Sequence, residues 1–327
     1  MKDKLIRGIK KLKWITNDGL YSTGLLSLKL SSQERRILIY HGVTNNARTD
    51  INARFISTAL FEKQIRFFKK NFNIVNLNDY FAGAHHSKKL TIAITFDDGY
   101  LNNLTEVLPV LEKYQVPTTF FITTIGKANY DVLWADLLDL YRLTGPKSFT
   151  FKSEVYKRGK HEYTGPKGSL KALIKNSGWS IKKELIDVIL AENQFINNPQ
   201  SFTYFKLLNK KQIQQLARSE YANIGSHGLY HNCLDKIPLA EAKDELIKSK
   251  AYIEDLIQMD VASIAYPDGR YTPEVVDLAE KIGYTQQLAV DYIYEKDDQD
   301  QRIQKRFGIN PFISFNNQIQ AIIDEKY

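Results

Sequence analysis

The chain has 327 residues, with 45 Lys and Arg against 37 Asp and Glu, 43% hydrophobic residues and a single cysteine, Cys233. That apolar fraction is ordinary for a globular protein and excludes global disorder, while a lone cysteine excludes an internal disulfide and a cysteine-built zinc site, so any metal must be held by His, Asp or Glu. At this length, one large α/β domain carrying an insertion is as acceptable as two domains.

No apolar run reaches the length of a membrane-spanning helix. The start, MKDKLIRGIKKLKW, is basic but lacks the apolar centre of a secretory signal. A cytoplasmic protein is therefore expected, at the inner face of the membrane if this start binds lipid. Leu5, Ile9 and Leu12 recur at helical spacing with lysines opposite. The pattern fits a short helix on an anionic membrane surface, with peripheral contact through residues 1–15, and fits equally an amphipathic helix docked on its own domain. Residues 1–35 are set apart as this basic segment. The net charge of +8 permits loose polyanion contact, but no zinc-finger, RNP or helix-turn-helix signature accompanies it, so no specific nucleic-acid partner is expected.

From residue 36 onward, short apolar runs alternate with helical patterns in the order of repeated βα units. Strands are predicted at 37–40, 91–96, 118–123, 221–224, 263–266 and 286–290. Helices are predicted at 59–72, 102–114, 211–219 and 239–258, with another opened by Thr272 as N-cap and Pro273 at the first helical position. In the 59–72 segment Leu60, Phe61, Ile65 and Phe68 share a face. The count approaches seven units, which predicts a distorted (β/α) barrel rather than an open sheet. Between about 127 and 209 the rhythm is lost. Gly145-Pro146, Gly165-Pro166 and many lysines fall there, with helical patterns at 132–142 and 182–191, so an inserted, partly helical subdomain is expected.

Two clusters carry chemistry. Asp97 and Asp98 end an apolar strand in the run TFDDG. Successive side chains on a regular strand face opposite ways, so both carboxylates enter one pocket only if the backbone turns, which Gly99 permits. Two such carboxylates repel unless one is neutralised, most directly by a bound cation. A turn that merely caps the next helix accounts for the same residues. The second cluster is SHGLYH, where His227 and His231 stand four apart. On a helical turn they share a face, and with a separate strand-end carboxylate they form a two-His-one-carboxylate set with positions open for water and substrate. His85 and His86 read as an exposed loop, Cys233 as a small core residue, and Tyr130, Trp134 and Tyr141 as core aromatics ahead of sugar-stacking platforms.

On these residues the chain resembles the polysaccharide deacetylase family, the NodB-homology proteins of carbohydrate esterase family 4. The resemblance rests on TFDDG at 95–99, SHGLYH at 226–231, AYPDGRY at 265–271 and ILIYHGV at 37–43, and runs from about residue 36 to 307. It implies a NodB-like barrel domain over 36–327, with Asp98, His227 and His231 as metal ligands, Asp97 as general base and an imidazolium at His41 as general acid. It further implies that Arg306, in KRFGIN, orients Asp97, because Ala265 stands where many relatives carry an arginine; Arg270 is a second candidate. Tyr266, Pro267 and Asp268 become substrate contacts, with Asp268 standing where a tyrosine is frequent. The implied reaction is metal-dependent removal of N-acetyl groups from an amino-sugar glycan or glycan precursor in cell-surface polysaccharide biosynthesis. Zn2+ is the expected ion, with Co2+ and Ni2+ as alternatives. The expected partner is an N-acetylated glycan, or a lipid-linked or nucleotide-linked sugar. Two other readings are carried forward: deformylation of a lipid-linked formamido sugar, and a catalytically idle carbohydrate-binding module.

Overall fold

The computed structural model describes residues 2–28, 30, 33–191 and 203–327, with side chains from residue 10 onward. In chain order come α1 (Lys2–Ser22), β1 (Arg35–Tyr40), β2 (Gly42–Thr44), β3 (Phe55–Ser57), α2 (Thr58–Asn71), β4 (Asn73–Ile74), α3 (Leu77–Phe81) and β5 (Thr91–Phe96). A π-helical turn (Asn103–Val107) then runs into α4 (Leu108–Tyr114), followed by β6 (Thr118–Ile122). The insertion supplies α5 (Trp134–Thr144), β7 (Ser148–Phe151), β8 (Glu154–Arg158), β9 (Tyr163–Gly165), β10 (Gly168–Ser169), α6 (Leu170–Lys175) and α7 (Trp179–Ala191). The alternation resumes with α8 (Lys210–Ala217), β11 (Ala222–Ser226), α9 (Leu239–Ile257), β12 (Ser263–Ala265), α10 (Pro273–Ile282) and β13 (Gln286–Leu288). It ends with β14 (Ile303–Gln304), β15 (Phe307–Gly308) and α11 (Phe315–Asp324).

Parallel pairing joins the main strands in the order β14-β13-β12-β11-β6-β5-β1-β15. The two ends of this path are consecutive in the chain, with only Lys305 and Arg306 between them. The sheet therefore curls until a two-residue link joins its edges, which is the distorted (β/α) barrel expected from the repeat. Every residue of β5 and β6 is buried. Parallel strands are covered on both faces, which is why TIAITF and TTFFI read as unbroken runs rather than alternating ones. Register levels the strand ends: Tyr40 pairs with Phe96, Phe96 with Phe120, and Ile122 with Ser226. His41, Asp97 and His227, each one residue beyond its strand, consequently emerge at the same end of the barrel.

Local chemistry explains the helices. Ser57 caps α2 by accepting the N–H of Leu60, and Thr272 caps α10 ahead of Pro273, as its sequence predicts. On α2 the buried face takes Gln64 rather than Leu60, because Gln64 accepts the Tyr40 hydroxyl at 2.9 Å. The helix expected over 102–114 opens instead with a π turn. Pro109 has no N–H to give the carbonyl four residues back, and the widened turn lets Asn103 Nδ2 donate to the His41 carbonyl at 2.8 Å.

The insertion differs from expectation. Besides α5, α6 and α7 it contains a four-stranded antiparallel sheet in the order β10-β9-β8-β7, whose strands of two to five residues are too short to show a period. It has its own apolar core, in which Trp134, Tyr141 and Phe149 pack with Phe55 and Tyr100 from the barrel side. Trp134 and Tyr141 are thus core aromatics, and Tyr130 packs partly buried at their margin.

At the N-terminus, the last turns of α1 dock on α11, with Asn17 Nδ2 donating to Asn317 Oδ1 at 3.2 Å and Asn317 Nδ2 to Asp18 Oδ1 at 2.7 Å. Leu12 and Ile15 are 66% and 59% exposed. The side chains of Leu5 and Ile9, on which the amphipathic reading also rests, lie outside the described residues. No helix among the described residues is long and apolar enough to cross a membrane.

Candidate metal centre at the barrel mouth

At the end of β5 the backbone leaves extended geometry at once: Asp98 has φ 75° and Gly99 φ 78°. The left-handed turn at Asp98 itself, a conformation aspartate tolerates better than most residues, brings adjacent carboxylates into one pocket. Both are buried, at 2% and 1% exposure. The two histidines arrive differently from expectation. They lie on a loop, not on a helical turn, because Gly228 (φ 76°) and His231 (φ 54°) both adopt left-handed backbone. Their rings nevertheless stand edge to face, 5.0 Å apart.

Ligand atoms from Asp98, His227 and His231 all lie within 4.8 Å of one another. Asp98 Oδ1 is 3.4 Å from His227 Nε2 and 3.3 Å from His231 Nε2. A tetrahedral ion with bonds of about 2.0–2.2 Å requires its ligand atoms to be roughly 3.3–3.6 Å apart. Asp98 Oδ1 is buried without a hydrogen-bond partner, an arrangement costly to maintain unless something else satisfies it. His227 Nδ1 lies 2.7 Å from the Ala265 carbonyl, which can only accept, so the proton sits on Nδ1 and the Nε2 lone pair is free to bind a metal. The donor set fits a divalent ion.

Charge is held in place around this triad. Arg306, delivered by the two-residue link that closes the barrel, forks onto Asp97 with bonds of 2.7 and 2.8 Å, and also donates to Thr95 Oγ1 and the Ala289 carbonyl at 3.2 Å each. Burial alone would raise Asp97, but Arg306 and His227 outweigh it and hold the carboxyl below its ordinary value. Burial likewise opposes ionisation of Asp98, and the two imidazoles with Arg54 keep it well below the carboxylate range. His227 is raised: burial would lower it, but Asp97 and Asp98 win. His41 lies near enough to feel Asp98, Arg54, Asp97 and His227, and burial pulls it down to about 4.

The remaining expected site residues divide. Tyr266 turns its ring into the core, stacked on Tyr271 and bonded to Gln287, so its side chain offers no substrate contact. Pro267 is buried close to Gly228. Asp268 faces the insertion, bonded to Lys175 at 2.8 Å and held down at about 2, where burial is outweighed by His231 and Lys175. Arg270 is occupied by Asp235 at 3.0 Å and leaves the orientation of Asp97 to Arg306. Cys233 is buried with its thiol pushed up to about 12 by burial, an inert packing residue. His86 folds onto the N–H groups of Lys88 and Lys89 in a surface loop.

Three further groups had no motif to mark them. Arg54 donates to Asp98 Oδ2 at 3.1 Å and also to Asp136 of α5, which in turn accepts the Tyr100 hydroxyl at 2.7 Å. The free oxygen of Asp98 is thereby the one facing the histidines. Glu245 on α9 accepts the N–H groups of Leu229 and Tyr230 at 3.0 and 3.2 Å. From the other side Lys182 on α7, fully buried, donates to the His231 carbonyl at 3.1 Å and to Asn232 Oδ1 at 2.7 Å, while Asn232 Nδ2 reaches Glu245. The histidine loop is thus clamped between barrel and insertion. Only a buried Lys and Glu in otherwise amphipathic helices could have hinted at this.

Comparison with known proteins agrees with this architecture. The family model described as polysaccharide deacetylase matches residues 84–287. YxkH of Bacillus subtilis (strain 168), assigned by its name to the polysaccharide deacetylases, is 20% identical over 282 residues, covering 85% of this chain and 72% of its own. Two solved structures share the fold. Streptococcus pyogenes deacetylase PplD, in complex with acetate, aligns with a TM-score of 0.57 at 15% identity over 90% of this chain and 99% of its own. IcaB from Ammonifex degensii aligns with a TM-score of 0.54 at 17% identity over 90% and 97%.

Proposed function

Because the chain belongs to the polysaccharide deacetylase family, we propose that its barrel mouth hydrolyses the acetamide of an N-acetylated amino sugar in a metal-dependent reaction. The observation that carries the metal dependence is the buried, unbonded Asp98 Oδ1 facing two imidazole nitrogens. A divalent ion held by Asp98, His227 and His231 supplies Lewis-acid polarisation of the amide and a lowered pKa for the attacking water.

The chain's own groups then divide the work. Arg306 keeps Asp97 ionised and fixes its orientation, so that Asp97 accepts the proton of the water that adds to the acetamide carbon. Breaking the C–N bond needs a proton on the leaving nitrogen, since an amide anion leaves poorly. His41 is the donor placed near the pair of aspartates. With burial drawing it to about 4, it rests neutral near pH 7, takes up the proton that Asp97 removed from the water, and as an imidazolium donates it to the leaving nitrogen. The products are acetate and a free amine. PplD, with acetate bound, supports that assignment.

The substrate class we favour is a glycan precursor in cell-surface polysaccharide synthesis, lipid-linked or nucleotide-linked, handled at the cytoplasmic membrane face. Exposed Leu12 and Ile15 among the lysines of α1 support surface contact; equal membrane partition with and without residues 1–15 would count against it. The central test is acetate release from N-acetylated glycans by wild type, Asp97→Asn and His41→Ala. Loss of about 10²-fold or more in each variant is expected. Unchanged function in Asp97→Asn would favour the binding-module reading, and preferred release of formate from a formamido sugar would favour the deformylase.

A further inference from the structure

Beside the metal centre opens a cleft of about 780 Å³, walled by the 49–54 loop, Arg142 of α5, Lys160 and His161 between β8 and β9, Lys171 of α6, and Phe312. Arg54 belongs to this wall and donates to Asp98 Oδ2, so the wall touches a metal ligand through this one side chain. Its size is that of a small-molecule site.

The charges in it are unequal. Of the lining acids, Asp50 is paired with Arg48 and Asp139 with Lys171, each at 2.7 Å. Among the described residues no carboxylate forms an ion pair with Arg142 or Lys160. Arg142 gives two donors to backbone carbonyls, those of Lys160 at 3.1 Å and Asp50 at 3.4 Å, and its Nε is buried without a partner. Lys160 and His161 are exposed. Phe312, 62% exposed, gives the rim an apolar face against which a sugar ring can pack.

A cleft whose uncommitted charges are all cationic selects an anion. Its mixture suits clustered oxygens: a planar guanidinium matches two oxygens at once, and a lysine adds a mobile point charge. We propose that this cleft is a subsite for a phosphate or diphosphate group on the substrate, so that the amino sugar is presented to the metal centre as a phosphate ester. The inference rests on the deacetylase reading and gives the phosphate shared by lipid-linked and nucleotide-linked precursors a place in the fold. The insertion, which contributes Arg142, Lys160, His161 and Lys171, becomes the element that sets substrate preference.

The test compares one N-acetylhexosamine in four forms: a neutral oligosaccharide, the 1-phosphate, a nucleoside diphosphate ester, and a short-chain prenyl diphosphate ester. Wild type is expected to show kcat/KM at least tenfold higher for a phosphorylated form than for the neutral one, mainly through KM. The best of the three phosphorylated forms identifies the source of the phosphate. In Lys160→Glu, a surface change that does not threaten folding, and in Arg142→Gln, that ratio should fall toward one. Binding of inorganic pyrophosphate, followed by calorimetry, should weaken at least fivefold in Lys160→Glu; pyrophosphate held only by a metal would not depend on Lys160. Equal turnover of neutral and phosphorylated forms by wild type, or pyrophosphate affinity unchanged in Lys160→Glu, overturns the subsite. Absence of acetate from every form, with pyrophosphate binding still dependent on Lys160, would instead sink the deacetylase reading and leave the anion site standing.

Discussion

Replacing Arg306 with methionine separates its two effects, on the fold and on Asp97. The guanidinium and carboxylate meet through bonds of 2.7 and 2.8 Å, and the two side chains are 0% and 3% exposed. Removing one partner of such a buried pair costs about 3–5 kcal/mol, because the other charge stays desolvated. Asp97 should respond by taking a proton: burial is the largest influence on this carboxyl, and with Arg306 gone only His227 and His41 oppose it, so the carboxyl is expected to rise above its ordinary value. In wild type the lowered carboxyl contributes stability that is present above the unfolded value near 4 and is lost as pH falls through the lower folded one. In the variant the sign reverses. Stability should be worst near neutrality and should recover as acid protonates Asp97. Urea titrations at pH 7 should therefore show a loss of about 3–5 kcal/mol that shrinks toward pH 5. The acid limb of the kcat/KM profile should move to higher pH, with a fall of about 10²–10⁴ at pH 7. Arg306→Lys, which keeps the charge but not the fork, should fall between. An Arg306→Met protein with the urea midpoint and pH profile of wild type would refute this account.

Four other outcomes follow from the same geometry. A divalent ion at 100 times its Kd should stabilise the fold by about 2.7 kcal/mol, so chelation should lower the melting temperature of wild type; a His231→Ala protein that responds to metal as wild type does would contradict the assigned ligand. Lys182 is pulled by burial to about 8 from an ordinary 10.5, so the unfolded chain binds the extra proton between those values. Wild-type stability should rise across that window by about 3 kcal/mol, and the rise should be missing in Lys182→Met, which urea midpoints at pH 7.5 and 10 would detect. The same variant frees the His231 carbonyl and should weaken metal binding in a chelator competition. Gly225→Ala places a methyl 2.5 Å from a ring carbon of Phe121 and 2.6 Å from Ser263 Oγ, and should cost about 1–3 kcal/mol by overpacking; an unchanged urea midpoint would show that the barrel wall yields more easily than its packing suggests.

The repeat and its barrel were legible because the central strands are covered on both faces and each long helix carries a periodic stripe, so the information is local. TIAITF, TTFFI and the Thr272-Pro273 start each announce their element within a few residues. The insertion's sheet was hidden for the opposite reason: its strands are too short to carry a period, and its core is completed by Phe55 and Tyr100 from elsewhere in the chain.

At the mouth, residue types and their spacing were enough to single out Asp97, Asp98, His227 and His231. The geometry that joins them was not in the spacing. The histidines meet the aspartate from a loop with left-handed residues at 228 and 231 rather than from a helix, because Glu245 and Lys182 hold that loop from two sides. Tyr266, next to a motif, turns inward, while Arg54, in no motif at all, bonds a ligand. Sequence alone determined the order of the main barrel strands and their long helices and which polar side chains stand at strand ends, since periodicity and turn chemistry act over a few residues. Only the tertiary structure decided which of those side chains share a pocket and which charges remain unpaired, because both depend on contacts between residues distant in the chain, 44 positions for Arg54 and Asp98 and 209 for Arg306 and Asp97.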